Sequence, residues 1–176
     1  MRMVLFDLGQ TLEDHDVPLP GALQALEDMS TWRDADGNPV LLALGWGFDA
    51  PAQHSYDVIE SLGIHSFFES VSARVTLSGE VGMYKPANEF FEAAVATADA
   101  GLTFDDVLFV TENRAHVVAA RTLGMHAIQV RPPGGGGGDV ASLIELLPHA
   151  REFVGTDCTG WSCVPSSAAH MLLTCR

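Results

Sequence analysis

The stretch "VLFDLGQTL", residues 4–12, decides the fold. Its first three residues form an apolar run typical of a short buried strand, and Asp7 stands at the end of that run. Gly9 then begins a turn. In a parallel α/β sheet, ligands bind beyond the carboxyl ends of the strands. The stretch therefore predicts a strand that presents Asp7 to a ligand-binding crevice.

Further apolar runs alternate with amphipathic segments along the chain. The apolar runs predict strands at residues 40–44, 71–76, 107–110 and 127–130. The amphipathic segments predict helices at residues 21–29, 53–62, 86–98 and 115–123. This alternation predicts an α/β fold, namely a three-layer, Rossmann-like parallel sheet with helices on both faces.

The segment "RPPGGGGGD", residues 131–139, interrupts this pattern and predicts a flexible connector. Asp139 is expected to cap a last helix that follows the connector. The residues of that helix expected to face the core are Val140, Leu143, Ile144 and Leu147. The predicted domain therefore spans residues 1–150.

Residues 151–176 form a tail in which the helical pattern is lost. All the cysteines of the chain lie in it, namely Cys158, Cys163 and Cys175. An odd number of cysteines confined to a tail does not describe a disulfide framework, and their spacing matches no compact zinc module. The tail is therefore expected to be flexible.

The chain has 176 residues and a formal net charge of −14. This acidity excludes a continuous basic track for nucleic acids. No apolar run approaches the ~18 residues of a membrane span, and Asp7 interrupts the early run that a signal peptide would need. We therefore expect a cytoplasmic protein without a membrane partner, built as one domain with a substantial core.

Four segments occur in an order that resembles the haloacid dehalogenase (HAD) superfamily of hydrolases. They are "FDLGQTL", "LALGWGFD", "GMYKPANEFF" and "DVLFVTENRAHVVAARTLGM". The resemblance covers residues 3–130 and is most specific in "FDLGQTL", "KPANEFF" and "AARTLGM". It implies a HAD-like domain without a cap, because the first helix already occupies the interval between the first two segments.

The resemblance implies roles for three residues. Asp7 matches the family's nucleophile, whose carboxylate forms a covalent intermediate that water later cleaves. Lys85 matches the family's lysine, which neutralises the nucleophile and the transferring group. Thr11 matches a hydroxyl that hydrogen-bonds the transferring oxyanion. We therefore expect a phosphatase that acts on a small-molecule or macromolecular phosphate ester through an aspartyl-phosphate.

Two positions depart from the family pattern. Gly9 stands where phosphatases carry a second aspartate as general acid, and such catalysis typically contributes ~10²–10⁴ in rate, so low efficiency is expected. Gly45 replaces the Ser or Thr that holds the phosphoryl group, and backbone amides of the glycine-rich turn at residues 45–47 are a candidate substitute. Trp46 in this turn is interpreted either as a substrate-contacting lid residue or as a core residue.

The fourth segment implies an altered magnesium site. Asp7, Glu112 and the carbonyl of Gly9 are expected to ligate Mg²⁺, which needs few protein carboxylates. His116 stands where another acid is usual, and both a surface role and a catalytic role are open. The run Glu13–Asp16 is interpreted as a solvated charge run, with return of one acid into the site as the alternative.

Two other functions are open at this stage. The segment "TENRAH" also matches the Ser-Ser-Asn-x-x-Asp of metal-independent dehalogenases, whose aspartate attacks carbon, and Asn113 would then contact substrate. Alternatively, Gly9, Gly45 and His116 indicate a binding or regulatory protein that has lost turnover. An open site favours a large substrate, or a lid supplied by a partner or by the second copy in a homodimer.

Overall fold

The computed structural model describes residues 1–47, 51–68, 74–99 and 101–155. Its central strands are β1 (Met3–Phe6), β4 (Leu41–Trp46), β5 (Val75–Leu77), β6 (Val107–Thr111) and β7 (His126–Gln129). They form one parallel sheet in the order β5-β4-β1-β6-β7. A hairpin of β2 (Glu13–Asp14) and β3 (Val17–Pro18) follows β1.

Helices connect the strands. The α-helices are α1 (Ala22–Ser30), α2 (Ala52–Ser61), α3 (Ser78–Val81), α4 (Asn88–Ala98), α5 (Arg114–Thr122) and α6 (Leu143–Val154). Short 3₁₀ turns lie at His65–Phe68 and Phe104–Asp106. Because parallel strands need long crossover connections, a helix between successive strands is the expected solution.

Helices cover both faces of the sheet. Side chains of β1 alternate, with Val4 and Phe6 in one apolar cluster and Met3 and Leu5 in the other. All four are fully buried, which explains why β1 reads as a continuous apolar run. Helices α1, α2 and α6 bury residues in the first cluster, and α4 and α5 in the second. The predicted three-layer α/β fold is confirmed.

The last helix begins later than predicted. Its N-cap is Ser142, whose hydroxyl accepts a hydrogen bond from the backbone N–H of Glu145 at 3.2 Å. Asp139 instead accepts from the backbone N–H of Gln129 at 2.9 Å and pairs with Arg121 at 3.0 Å. The predicted cap was therefore wrong, because Asp139 fastens the end of β7 to α5.

The later start changes which residues face the core. The buried residues of α6 are Leu143, Leu146, Ala150 and Val154. Ile144 is 39% exposed, and Val140 lies before the helix, in a bridge with Val130. Because α6 ends at Val154, the folded part extends past the predicted boundary at residue 150. The three cysteines lie in residues 156–176, outside the described residues.

The segment between β1 and β4 contains no cap domain. Residues 7–40 are all described, and their regular elements are the β2–β3 hairpin and α1.

Within the described part of the chain, none of the helices combines the length and apolar character needed to cross a bilayer.

Candidate active site

The ends of three adjacent strands bring the predicted site residues together. Asp7 directly follows β1, Gly45 lies near the end of β4, and Thr111 ends β6. Because β1 lies between β4 and β6, Asp7 stands at the centre of this edge of the sheet. Lys85 enters from the segment before α4. The side chains therefore converge beyond the strand ends.

Lys85, the only lysine of the chain, forms an ion pair with Asp7. Its Nζ donates hydrogen bonds to Asp7 Oδ1 and to the carbonyl oxygen of Gly45, the latter at 2.6 Å. The Lys85 side chain is 2% exposed and the Asp7 side chain 8%. An ammonium fixed in this way can neutralise negative charge that develops on a group transferred to Asp7.

Hydrogen bonds occupy most of the Asp7 carboxylate. Oδ1 accepts from the backbone N–H of Leu8 at 2.9 Å as well as from Lys85. Oδ2 accepts from the hydroxyl of Thr111 at 2.9 Å. An ionised carboxylate has about four lone-pair sites, two on each oxygen. Within the described residues, the one site that accepts no hydrogen bond therefore lies on Oδ2, the oxygen that His116 Nδ1 faces at 3.6 Å.

The surroundings of Asp7 favour its ionised form. Burial opposes ionisation, but the charge of Lys85 and the hydrogen-bonding groups around the carboxylate outweigh burial and lower the pKa of Asp7. Asp7 is thus a deprotonated carboxylate in a nearly dry position. This is the state that a carboxylate nucleophile requires.

Hydroxyl groups hold Glu112 beside Asp7. The Thr11 hydroxyl donates to Glu112 Oε2 at 2.8 Å and accepts from the Glu112 backbone N–H at 3.0 Å. The Thr111 hydroxyl lies 3.1 Å from the same Oε2. Thr11 is fully buried and contacts Glu112, so its predicted contact with a transferring oxyanion stays a prediction.

A magnesium ion ligated by Asp7 would compete with contacts that the carboxylate already makes. Glu112 and the Gly9 carbonyl are hard donors of the kind that Mg²⁺ prefers. However, a metal on the one open lone pair of Asp7 would occupy the position that attack requires. Ligation elsewhere would displace Lys85 or Thr111. Within the described residues, no three His, Cys, Asp or Glu side chains form a metal-holding group. The predicted magnesium site therefore stays a prediction.

Gly9 lies beside the carboxylate of Glu13. Glu13 Oε1 is 3.6 Å from the point that a β-carbon on residue 9 would occupy, and Oε2 accepts from the Asp16 N–H at 2.9 Å. Burial, together with the charges of Asp16 and Asp14, raises the pKa of Glu13. Because Glu13 is half-buried, the interpretation of this run as solvated does not hold for it.

Strand β4 continues through Gly45 and Trp46, for which the sequence predicts a turn. These residues pair with Thr76 and Leu77 of β5, so the predicted anion-binding turn does not form there. A β-carbon on residue 45 would lie 3.1 Å from the Phe90 ring, which explains the glycine. Trp46 is half-buried and packs against the first apolar cluster, in agreement with its core interpretation.

Asn113 and His116 lie at the start of α5. The Asn113 side-chain oxygen accepts from the backbone N–H of Ala115 at 2.9 Å, so Asn113 is the N-cap. Its predicted contact with substrate stays a prediction. His116 Nδ1 lies 3.6 Å from Asp7 Oδ2, and the His116 side chain is 17% exposed. His116 thus belongs to the site and not to the outer surface of the helix.

Two features of the site were missed in the sequence. The hydrogen bond from Thr111 to Asp7 was not predicted. Thr111 is the last residue of the buried strand β6, and Asp7 directly follows the neighbouring strand β1. Ser78 follows β5, and its buried hydroxyl has no hydrogen-bond partner within the described residues. Strand ends were the available signal in both cases, because they lie at the edge where the site forms.

No protein-family model matches the chain, and no curated protein matches it. Solved structures do match. A hydrolase from Pseudomonas syringae has 13% identity and a TM-score of 0.62, covering 89% of this chain and 100% of its own. A haloacid dehalogenase-like hydrolase from Streptococcus pneumoniae has 12% identity and a TM-score of 0.60, covering 85% and 98%.

A third similar structure is the L-2-haloacid dehalogenase from Xanthobacter autotrophicus, with 15% identity and a TM-score of 0.58. The match covers 74% of this chain and 77% of the dehalogenase chain. At these identities the likeness establishes the fold. The chain has the fold of the HAD-like hydrolases, and the fold predicted from the four sequence segments is confirmed.

Proposed function

We propose that this chain is a hydrolase that transfers a phosphoryl group from a phosphate monoester to Asp7 and then to water. One observation carries the proposal: Asp7 is buried and ionised beside the ammonium of Lys85, and one lone pair, on Oδ2, accepts no hydrogen bond from the described residues. A structural ion pair would not need to leave this position open.

In the first step, the open lone pair of Asp7 Oδ2 forms a bond to phosphorus while the ester P–O bond breaks. The leaving oxygen keeps the electron pair of that bond and takes a proton from solvent. Water then attacks phosphorus, the Asp7–phosphorus bond breaks, and the carboxylate is restored as inorganic phosphate leaves. Lys85 offsets the charge on the transferred group in both steps.

Position 9 limits the range of leaving groups. Gly9 has no side chain to transfer a proton, so esters of acidic alcohols should react faster than alkyl esters. The described residues 7–40 contain no cap domain, so we infer that the site is open on the side of this segment. It therefore accepts either a small ester or an ester on a larger molecule.

The second candidate function is hydrolysis at a carbon that bears a halogen. It is favoured by the same hydrogen bonds around Asp7, which leave no lone pair for a metal in addition to the one that attacks. A halide also leaves without a proton, so Gly9 would not be a deficiency. The ion pair and the open Oδ2 serve attack on carbon equally well.

A panel assay separates these functions. p-Nitrophenyl phosphate, alkyl phosphates and 2-chloropropionate are tested with EDTA or with added Mg²⁺, using the unaltered protein and the Asp7→Asn variant. We expect turnover of p-nitrophenyl phosphate that EDTA leaves unchanged and Asp7→Asn abolishes. Turnover that survives Asp7→Asn contradicts the nucleophile. Dependence on Mg²⁺ contradicts the metal-free arrangement. Chloride release alone selects the second candidate, and no turnover at all selects a binding protein.

A further inference from the structure

The imidazole of His116 carries a buried nitrogen that lacks a partner. Within the described residues, His116 Nδ1 makes no hydrogen bond, although it is shielded from solvent. Buried polar atoms are nearly always hydrogen-bonded, so an exception at a functional site needs an explanation. Its nearest charged neighbour is Asp7 Oδ2, and the separation of 3.6 Å is too long for a hydrogen bond.

The fold fixes this nitrogen in place. His116 lies in the first turn of α5, whose N-cap Asn113 accepts from the backbone N–H of Ala115 and, at 3.4 Å, of His116 itself. The helix follows β6 directly, and Thr111 at the end of β6 donates to Asp7 Oδ2. Strand β6 therefore holds the attacking oxygen through Thr111, and α5, which follows β6 directly, holds Nδ1.

The open lone pair of Asp7 lies on Oδ2, the oxygen that His116 faces. A phosphoryl group bonded to Oδ2 carries three further oxygens around phosphorus. Because Nδ1 lies 3.6 Å from Oδ2, one of those oxygens can come within hydrogen-bond reach of Nδ1. The carboxylate also favours the tautomer with its proton on Nδ1, and the imidazolium carries a proton there as well. His116 is thus a donor in either state.

We propose that His116 Nδ1–H donates a hydrogen bond to an oxygen of the group bonded to Asp7 Oδ2, which makes His116 a substrate-binding catalytic residue. This inference rests on the proposed function, since it needs Asp7 to receive that group. The imidazole would then bind the phosphoryl oxygens in place of the usual Ser or Thr hydroxyl, which Gly45 lacks.

Orthovanadate is the probe, because it mimics a phosphoryl group in transfer. Its binding is measured by calorimetry for the unaltered protein and for His116→Asn, His116→Gln and His116→Ala. The Asn side chain keeps an N–H donor near the place of Nδ1, whereas the Gln amide extends toward the place of Nε2. We expect binding about 10- to 100-fold weaker for the Ala and Gln variants, with Asn within a few-fold of the unaltered protein. His149→Asn, an exposed position on α6, is the control.

The readouts separate binding from folding and from the proposed function. A structural role alone would lower the unfolding midpoint of the variants and leave vanadate affinity unchanged, which would overturn the inference. Equal losses for Asn and Ala would also overturn it. If the variants do not fold, the imidazole ¹⁵N resonance of His116 Nδ1 in the unaltered protein must shift with vanadate. An absent shift, with turnover still lost in Asp7→Asn, rejects this role and retains the nucleophile.

Discussion

Lys85 Nζ bridges the carboxylate of Asp7 and the carbonyl of Gly45, so a single ammonium ties the ends of β1 and β4 together. Asp7 and Lys85 are 78 residues apart in sequence, and both side chains are almost fully removed from solvent. Lys85 therefore has two roles: it stabilises the fold, and it neutralises negative charge in the site.

Replacing Lys85 by Met should measure its role in stability. The substitution leaves Asp7 buried without its counter-charge, and breaking a buried pair in this way costs ~3–5 kcal/mol. Urea unfolding at pH 7 measures that loss. Asp7→Asn with Lys85→Met should be less destabilising than the sum of the single changes, because the two residues contact each other. Strict additivity would contradict the ion pair.

The stability of the protein should depend on pH through Asp7. The pKa of Asp7 lies below its ordinary value of 3.8, because the charge of Lys85 and the hydrogen-bonding groups around the carboxylate together outweigh burial. A carboxyl whose pKa is lowered by folding contributes stability that is complete above the unfolded value and is lost as pH falls through the folded value. The difference in unfolding free energy between the unaltered protein and Asp7→Asn should shrink below pH 3.8.

A matched control for this titration is Asp57→Asn. Asp57 is exposed, and its contact with Gln53 lies on the surface of α2. Its effect on the unfolding free energy should be small at every pH. If the difference in unfolding free energy between the unaltered protein and Asp7→Asn stays constant down to pH 2, then the surroundings do not lower the pKa of Asp7.

The sequence predicts the sheet well because burial on both faces leaves a simple signal. The four residues of β1 are apolar without interruption, and each is buried on one face or the other. The choice of helix cap was not predictable in the same way. Asp139 and Ser142 are both good cap residues. Contact with Arg121, distant in sequence, decided between them.

The site was predictable in its members but not in its hydrogen bonds. Asp7, Lys85 and Glu112 follow from position and from family resemblance. The donation from Thr111 to Asp7 spans 104 residues, and no spacing rule gives the orientation of a hydroxyl. That one bond decides how many lone pairs Asp7 retains, and so whether a metal fits. The test of the predicted magnesium site therefore depends on a contact that sequence does not encode locally.

Glu13 should respond to pH in the opposite sense to Asp7. Burial raises the pKa of Glu13 above its ordinary value of 4.5, so the folded protein binds this proton more tightly than the unfolded chain does. Stability is then lost as pH rises through the folded pKa. Glu13→Gln keeps the acceptor for Asp16 and removes the half-buried charge. It should equal or exceed the unaltered protein in unfolding free energy at pH 8.

The comparison for that variant is Glu60→Gln, at an exposed position on α2. It should leave the pH dependence of unfolding unchanged, since surface substitutions are usually within about 0.5 kcal/mol. A loss of stability in Glu13→Gln at pH 8, larger than in Glu60→Gln, would show that the ionised Glu13 stabilises the fold.

A side chain at position 45 should destabilise the protein even though it would restore a hydroxyl at the site. A β-carbon there would lie 3.1 Å from the ring of Phe90, a residue of α4 that is fully buried against the sheet. Overpacking of this kind costs ~1–3 kcal/mol, so Gly45→Ser should unfold at a lower urea concentration. Gly47→Ala is the control, because a β-carbon there would make ordinary contacts of 3.5 Å or more. Gly45→Ser should cost less unfolding free energy in a Phe90→Leu background than in the unaltered protein, because the ring that the new side chain crowds is then absent. If Gly45→Ser is as stable as Gly47→Ala, then close packing of Phe90 is not the reason for the glycine.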